Sequence, residues 1–111
     1  MTLCRYAGLP YRRGQKLVGF AYVRRESVIE RLTRELNALP PVPEGTFACP
    51  EEDGSEVAVV LRYEHERALL IEIGLTGCPD AVRGAIRRWG LGSAGNRLIS
   101  DLERLIPTKH V

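Results

Sequence analysis

Three cysteines are the residues in this chain best suited to covalent chemistry, and their placing predicts a disulfide. Cys49 lies in Phe47-Ala48-Cys49-Pro50 and Cys78 lies in Thr76-Gly77-Cys78-Pro79, on either side of two apolar, β-branched runs. Because the glycine and prolines beside them favour turns, both cysteines fall at the open end of a predicted hairpin, where they can pair. A Cys49–Cys78 disulfide would place the protein outside the reducing cytosol.

The third cysteine, Cys4, is then a possible free thiol. If it were exposed, its neighbour Arg5 would favour the reactive thiolate, which motivates the hypothesis of a Cys-dependent enzyme or thiol sensor. The alternative is a small buried hydrophobic side chain on the first strand. Three reduced thiols in a cytosolic protein stay open as the alternative to the disulfide. A zinc site made of the cysteines and His65 lacks any C-x-x-C spacing.

Two basic clusters form a candidate binding surface. Their residues are Arg12, Arg13 and Lys16 in the first cluster, and Arg87, Arg88 and Trp89 in the second. Arginine beside an aromatic ring suits an anionic ligand or a base-stacking partner. Acids nearly balance bases, with 16 Lys and Arg against 14 Asp and Glu, and no nucleic-acid-binding motif is present. A cytosolic nucleic-acid-associated protein is therefore the second hypothesis, behind an unknown protein partner or an anionic ligand of the cell envelope.

The sequence shows no group of residues with the spacing of a catalytic or cofactor site. The histidines, His65 and His110, are far apart, and neither has an evident nucleophile or metal-binding neighbour. The acidic residues near Asp53 have the pattern of a solvated turn rather than a calcium loop. The glycines of residues 90–95 lack the lysine and the preceding strand of a phosphate loop. We therefore predict no catalytic residue, no cofactor and no metal, and a non-enzymatic binding or interaction domain.

Two segments have the apolar pattern of helices. These helices would help to position the candidate residues described above. Ser27 and Glu30 have the spacing of a capping box. An apolar stripe then follows on one helical face, ended by Pro40-Pro41. The stripe consists of Val28, Ile29, Leu32, Leu36 and Leu39. A second stripe runs from Leu98 to Ile106, entered from Gly92-Ser93 and ended by Pro107.

Alternating apolar residues predict the strands. Residues 3–7 and 17–23 suggest an antiparallel pair, with a bulge at Gly19. Residues 57–63 and 69–76 alternate so that their buried positions are all odd. If these odd-numbered residues face one core, each must pair with an odd-numbered residue, so the turn must contain an odd number of residues. We expect the turn Glu64-His65-Glu66, with Tyr63 opposite Arg67 and Val57 opposite Ile73. Residues 80–92 fit either a helix or a turn at Arg83-Gly84 followed by a strand.

These elements predict a single α+β domain over residues 1–111, with two helices packed on one face of an antiparallel sheet. The sheet would have about 5–6 strands, in the order ββαβββα. No run is long and apolar enough to span a membrane. The N-terminus has no cationic segment followed by an apolar stretch, so the chain is either a mature exported domain or a cytosolic protein. We expect a monomer or a weak homodimer.

Five short segments resemble a known group of proteins. They read Cys4-Arg5-Tyr6-Ala7-Gly8-Leu9, Leu36-Asn37-Ala38-Leu39-Pro40-Pro41-Val42-Pro43, Cys49-Pro50 with Asp53-Gly54-Ser55-Glu56-Val57, Leu61-Arg62-Tyr63 and Gly74-Leu75-Thr76-Gly77-Cys78. Together they resemble small, uncharacterised exported or envelope-associated domains of actinobacteria. The resemblance implies a secreted or envelope location, Cys49 and Cys78 as the disulfide, and a strand over residues 85–89. It transfers no catalytic residue and no ligand.

Overall fold

Six strands and two helices make up the protein in a computed structural model that describes residues 1–62 and 65–107. The elements are β1 (Thr2–Tyr6), β2 (Leu17–Tyr22), α1 (Glu26–Asn37), β3 (Glu56–Leu61), β4 (Leu69–Gly74), β5 (Asp80–Arg83), β6 (Ile86–Trp89) and α2 (Ser93–Leu105). The strands form one sheet in the order β2-β1-β3-β4-β5-β6, and every neighbouring pair is antiparallel. The predicted α+β class is confirmed.

The central hairpin has the predicted register. Val57 pairs with Ile73 and Leu61 pairs with Leu69, so the odd-numbered residues of both strands share one face. The predicted pairing of Tyr63 with Arg67, and the start of the turn at Glu64, lie outside the described residues. A register shift interrupts the pairing of β1 with β2 one residue before Gly19, which agrees with the predicted bulge.

Residues 80–92 form a hairpin and not a helix. β5 and β6 are joined by Gly84 and Ala85, and Gly84 has a φ of +57°. A tight hairpin turn needs this left-handed conformation, which costs glycine little. The hairpin confirms the strand expected from the family resemblance and brings the sheet to six strands.

Both helices cover the same face of the sheet, called here the helix face, and the opposite face is the open face. The fully buried side chains of the sheet all lie on the helix face, among them Leu3, Val57 and Val59. They pack against Leu32 of α1 and Leu98 of α2. The apolar stripes in the sequence thus predict the core. No helix in the described part of the chain has the length and apolar character needed to cross a membrane.

The predicted capping box at the start of α1 is wrong. The helix begins at Glu26, one residue before Ser27, and its N-cap is Arg25 with no side-chain cap hydrogen bond. Ser27 therefore lies inside the first turn, where its hydroxyl cannot cap the helix. The negative charge of Glu26 in the first turn instead complements the helix dipole.

The long connection between α1 and β3 is held at several points. Its start runs beside β6, where the Trp89 amide donates a hydrogen bond to the Pro40 carbonyl at 2.7 Å. Further along, the Phe47 ring packs on Trp89 with a centroid distance of 5.0 Å. Cys49 then forms the predicted disulfide with Cys78, with their Cα atoms 5.4 Å apart. The disulfide therefore ties this connection to the turn that follows β4.

Asp53 fastens the end of the same connection. One of its carboxylate oxygens accepts hydrogen bonds from the Ser55 amide (2.8 Å), the Ser55 hydroxyl (2.6 Å) and the Thr76 hydroxyl (2.7 Å). These bonds hold the pKa of Asp53 below its ordinary value, and the bond from the Ser55 hydroxyl has the largest effect. The predicted acidic turn is thus an anchor built from internal hydrogen bonds.

Candidate functional site

Strand alternation divides the second basic cluster between the two faces of the sheet. Arg88 pairs with the buried Ala81 and therefore shares the helix face. Arg87 and Trp89 point to the open face. There Arg87 Nε lies 3.1 Å from the Asp80 carboxylate, and the half-buried Trp89 is covered by Phe47. The three residues predicted to act together are therefore separated by the pleat of β6.

Arg88 lines a groove on the helix face, where the last turn of α1 meets the β5–β6 hairpin. The groove has a volume of about 230 Å³. Its apolar lining consists of Leu36, Ile71, Ala81 and Ile86, and its polar lining consists of Asn37, Arg83 and Arg88. Arg83 is absent from the surface predicted from sequence, although it lies two residues after Ala81. A strand over 80–83 would have placed both side chains on one face.

The two arginines of the groove, Arg83 and Arg88, have no acidic partner among the residues that the structure describes. Within residues 1–62 and 65–107, no carboxylate makes an ion pair with Arg83 or Arg88. Both side chains are exposed, and the nearby Asn37 contributes an amide that can donate and accept hydrogen bonds. The groove therefore joins two uncompensated positive charges to an apolar floor, an arrangement that suits an anion with an apolar body.

The first basic cluster lies at the far end of the sheet. Arg12, Arg13 and Lys16 belong to the connection between β1 and β2, two strands that lie four and five positions from β6 in the sheet. Arg13 pairs with the buried Glu56 on the open face, with Nε and Oε2 3.1 Å apart. Lys16 lies over the Tyr11 ring, 5.9 Å from its centroid. The two basic clusters do not form one surface.

A second cavity, of about 450 Å³, lies near the end of α2. Its charged residues are already paired, because Arg5 lies 3.6 Å from Glu103 and Asp53 holds Ser55 and Thr76. Cys4 is a free thiol, half-buried on the open face opposite Phe20. Neither feature offers the unpaired charge that the groove offers.

Two carboxyl groups meet between the helices, far apart in sequence. Arg31 lies 3.8 Å from Glu35 and 3.6 Å from Asp101. Oε2 of Glu35 is buried and has no hydrogen-bond partner among the described residues. The protonated Glu35 carboxyl can donate a hydrogen bond to the Asp101 carboxylate. Burial first, and then that bond and the charge of Asp101, raise the pKa of Glu35 to about 7.

The stability of the protein is expected to fall as the pH rises through neutrality. The pKa of Glu35 is about 7 in the folded protein against an ordinary 4.5, so the folded state binds this proton more tightly than the unfolded state. The bound proton stabilises the folded state fully when the pH is below the ordinary pKa. This stabilisation is lost as the pH rises through the pKa that Glu35 has in the folded protein. We expect a loss on the order of 2 kcal/mol between about pH 5 and pH 8, measured by urea unfolding.

The variant Glu35→Gln serves as the control for this pH dependence. It keeps the shape of a protonated side chain and cannot ionise, so its unfolding free energy should change far less over the same pH range. It should also exceed that of the natural protein on the alkaline side. An unchanged pH profile in the variant would contradict the assignment of the effect to Glu35.

Comparison with known proteins adds no further assignment, because no family model, curated protein or solved structure matches the chain.

Proposed function

We propose that this protein is a non-enzymatic binding module that acts outside the cytosol and holds a small anionic molecule in the groove between α1 and the β5–β6 hairpin. The observation that carries this proposal is the pair of uncompensated cations, Arg83 and Arg88, beside an apolar floor. Arg87 on the same strand differs from them, because its Nε lies 3.1 Å from the Asp80 carboxylate. Unmatched guanidinium groups at a concave site favour a ligand that brings its own negative charge.

The size of the groove restricts the ligand. Its volume of about 230 Å³ is smaller than typical sites for drug-sized molecules, which begin at roughly 300 Å³. A carboxylate or phosphate can take two parallel hydrogen bonds from a guanidinium group. The apolar floor, formed in part by Leu36 and Ile71, suits a single ring or a short hydrocarbon chain. We therefore expect a small anion with an apolar body, such as an aryl carboxylate or aryl phosphate.

The location outside the cytosol is supported by chemistry and by resemblance. The Cys49–Cys78 disulfide is compatible with an oxidising compartment, where such bonds persist. The resemblance to exported actinobacterial domains, carried by residues 4–9, 36–43, 49–50, 53–57, 61–63 and 74–78, supports the same location. An envelope-derived anion is then the source of ligand we favour.

Binding of benzoate and of phenyl phosphate, followed by NMR chemical shifts, tests the groove. Arg83→Ala together with Arg88→Ala should weaken binding of either anion by about tenfold to a hundredfold, because a hydrogen bond to a charged group contributes roughly 1.5–3 kcal/mol. Arg87→Ala is the matched control, since its side chain lies on the open face beside Asp80. It should leave the affinity within about twofold.

Two results would overturn this proposal. Equal affinity of the double variant and the natural protein would show that the arginines do not hold the anion. A shift pattern centred away from Asn37 and Ile86 would place the ligand elsewhere. The rival hypotheses have their own measurements: steeply salt-dependent retention of an oligonucleotide would favour a nucleic-acid partner. Rapid iodoacetamide labelling of Cys4 in the native protein would favour a thiol-based function.

A further inference from the structure

We propose that β2 is a docking edge for an extended peptide of a partner protein, with an apolar centre and acidic residues at both ends. β2 is the last strand of the sheet, and the described part of the chain pairs it only with β1. The site is separate from the groove, which lies beside the strands at the opposite end of the sheet.

The hydrogen-bonding pattern shows which main-chain groups of β2 point outward. Met1 and Val23 bond to each other in both directions. The Met1 nitrogen donates to the Val23 carbonyl at 3.1 Å, and the Val23 amide donates to the Met1 carbonyl at 2.8 Å. In an antiparallel ladder such pairs alternate with pairs whose N–H and C=O groups point away from each other. Ala21 therefore faces β1, whereas Phe20 and Tyr22 present their N–H and C=O groups at the outer edge. An added strand would find two donors and two acceptors in line.

The side chains of β2 favour an apolar partner. Leu17, Phe20 and Tyr22 are 48%, 54% and 67% exposed, and the two rings make an edge-to-face contact at 5.7 Å. The strand contains no charged residue and no proline, which are the usual protection of an edge against pairing. Only the bulge near its start departs from a regular strand. The opposite edge is different, because Pro41 makes a bridge to Arg88 there.

Charge decides between a second copy of this chain and a different peptide. Basic residues flank β2 on both sides, with Lys16 immediately before it and Arg24 and Arg25 shortly after it. All three are exposed, and no described acid makes an ion pair with them. Two copies of β2 in antiparallel pairing would bring Lys16 of one copy near Arg24 of the other. A peptide with acidic ends instead meets a cation at each end.

Fluorescence anisotropy with a labelled nine-residue peptide tests the proposal. The peptide has Asp-Glu at one end, Val-Thr-Val-Thr-Val in the middle and Glu-Asp at the other end. A control peptide carries lysine at the four acidic positions. The acidic peptide should bind at least tenfold more tightly at low salt, in a one-to-one complex. Hydrogen exchange should slow at the amides of Phe20 and Tyr22.

Two variants of the protein separate the contributions of main chain and charge. Phe20→Pro removes an outward N–H, and Phe20→Thr is its control, which loses the ring and keeps the donor. The proline variant should bind the acidic peptide at least tenfold more weakly than the threonine variant. Arg24→Glu with Arg25→Glu should reverse the preference in favour of the lysine peptide, and this surface change keeps the proposal testable if the proline variant does not fold.

Equal binding of both peptides to the natural protein would overturn the proposal, as would unchanged preference in the charge-reversed variant. Concentration-dependent self-association abolished by Phe20→Pro would assign the edge to a second copy and would equally overturn it. Binding of benzoate to the groove should be unaffected by the β2 variants, so failure of this proposal and failure of the groove proposal can be told apart.

Discussion

Replacing Cys49 and Cys78 together by serine is expected to lower the free energy of unfolding by about 3.5 kcal/mol, because the disulfide closes a loop of about 30 residues in the unfolded chain. The structure adds a second reason for a large effect. The disulfide is one of the contacts that hold the connection between α1 and β3, together with the hydrogen bond from Trp89 to Pro40, the packing of Phe47 on Trp89 and the contacts of Asp53. Urea unfolding of the purified proteins measures the loss.

Cys4→Ser is the matched control, since it removes a thiol that takes part in no disulfide. It should change the free energy of unfolding by less than about 1 kcal/mol. Adding a reductant should bring the natural protein to the stability of the double serine variant and leave that variant unchanged. Identical unfolding curves for the natural protein and the double variant would contradict the role given to the disulfide.

Gly95→Ala is expected to destabilise the protein by about 3 kcal/mol, although alanine normally stabilises a helix by about 1 kcal/mol relative to glycine. Gly95 is a buried residue in the first turn of α2. A methyl group there would overlap the carbonyl group of Gly90, whose Cα atom would lie 2.7 Å away. Gly90 has little freedom to move, because its amide donates to the Pro79 carbonyl at 2.7 Å.

The neighbouring exposed residue provides the comparison. Asn96→Ala changes the same helical turn without a close contact, so it should leave stability unchanged or raise it by a few tenths of a kcal/mol. Thermal and urea unfolding of both variants checks the pair. A Gly95→Ala protein as stable as the natural one would mean that α2 can move away from Gly90 at little cost.

Much of the sheet is predictable from sequence because its signals are local. β3 and β4 alternate strictly, and their shared parity leaves one register that buries Val57 and Ile73 together. The same register brings Cys49 near Cys78, which is why a pairing predicted from flanking prolines agrees with the structure. The apolar stripe of α1 similarly identifies Leu32 as a core residue.

The groove was not predictable in the same way. Its arginines come from a short hairpin that periodicity cannot distinguish from a helix, and a cluster of adjacent residues in sequence suggests one surface. In a strand, Arg87 and Arg88 face opposite sides. The start of α1 shows a different limit, since a side-chain cap contributes only about 1 kcal/mol and the N-cap here is Arg25 and not Ser27. The pair of Glu35 and Asp101 depends on helix packing, which no local pattern reveals.

The hairpin turn of Gly84 and Ala85 has a consequence for how the chemistry of the groove can change. Each added or deleted residue in a strand reverses the side to which every later side chain projects. If the two-residue turn is kept, one residue inserted before Ile86 would shift the pairing of β6 by one position, send Arg87 into the groove, away from Asp80, and turn Arg88 outward. The groove would keep one arginine from β6 and lose the Ile86 side chain, so a single inserted residue could change its apolar lining with no substitution of any lining residue.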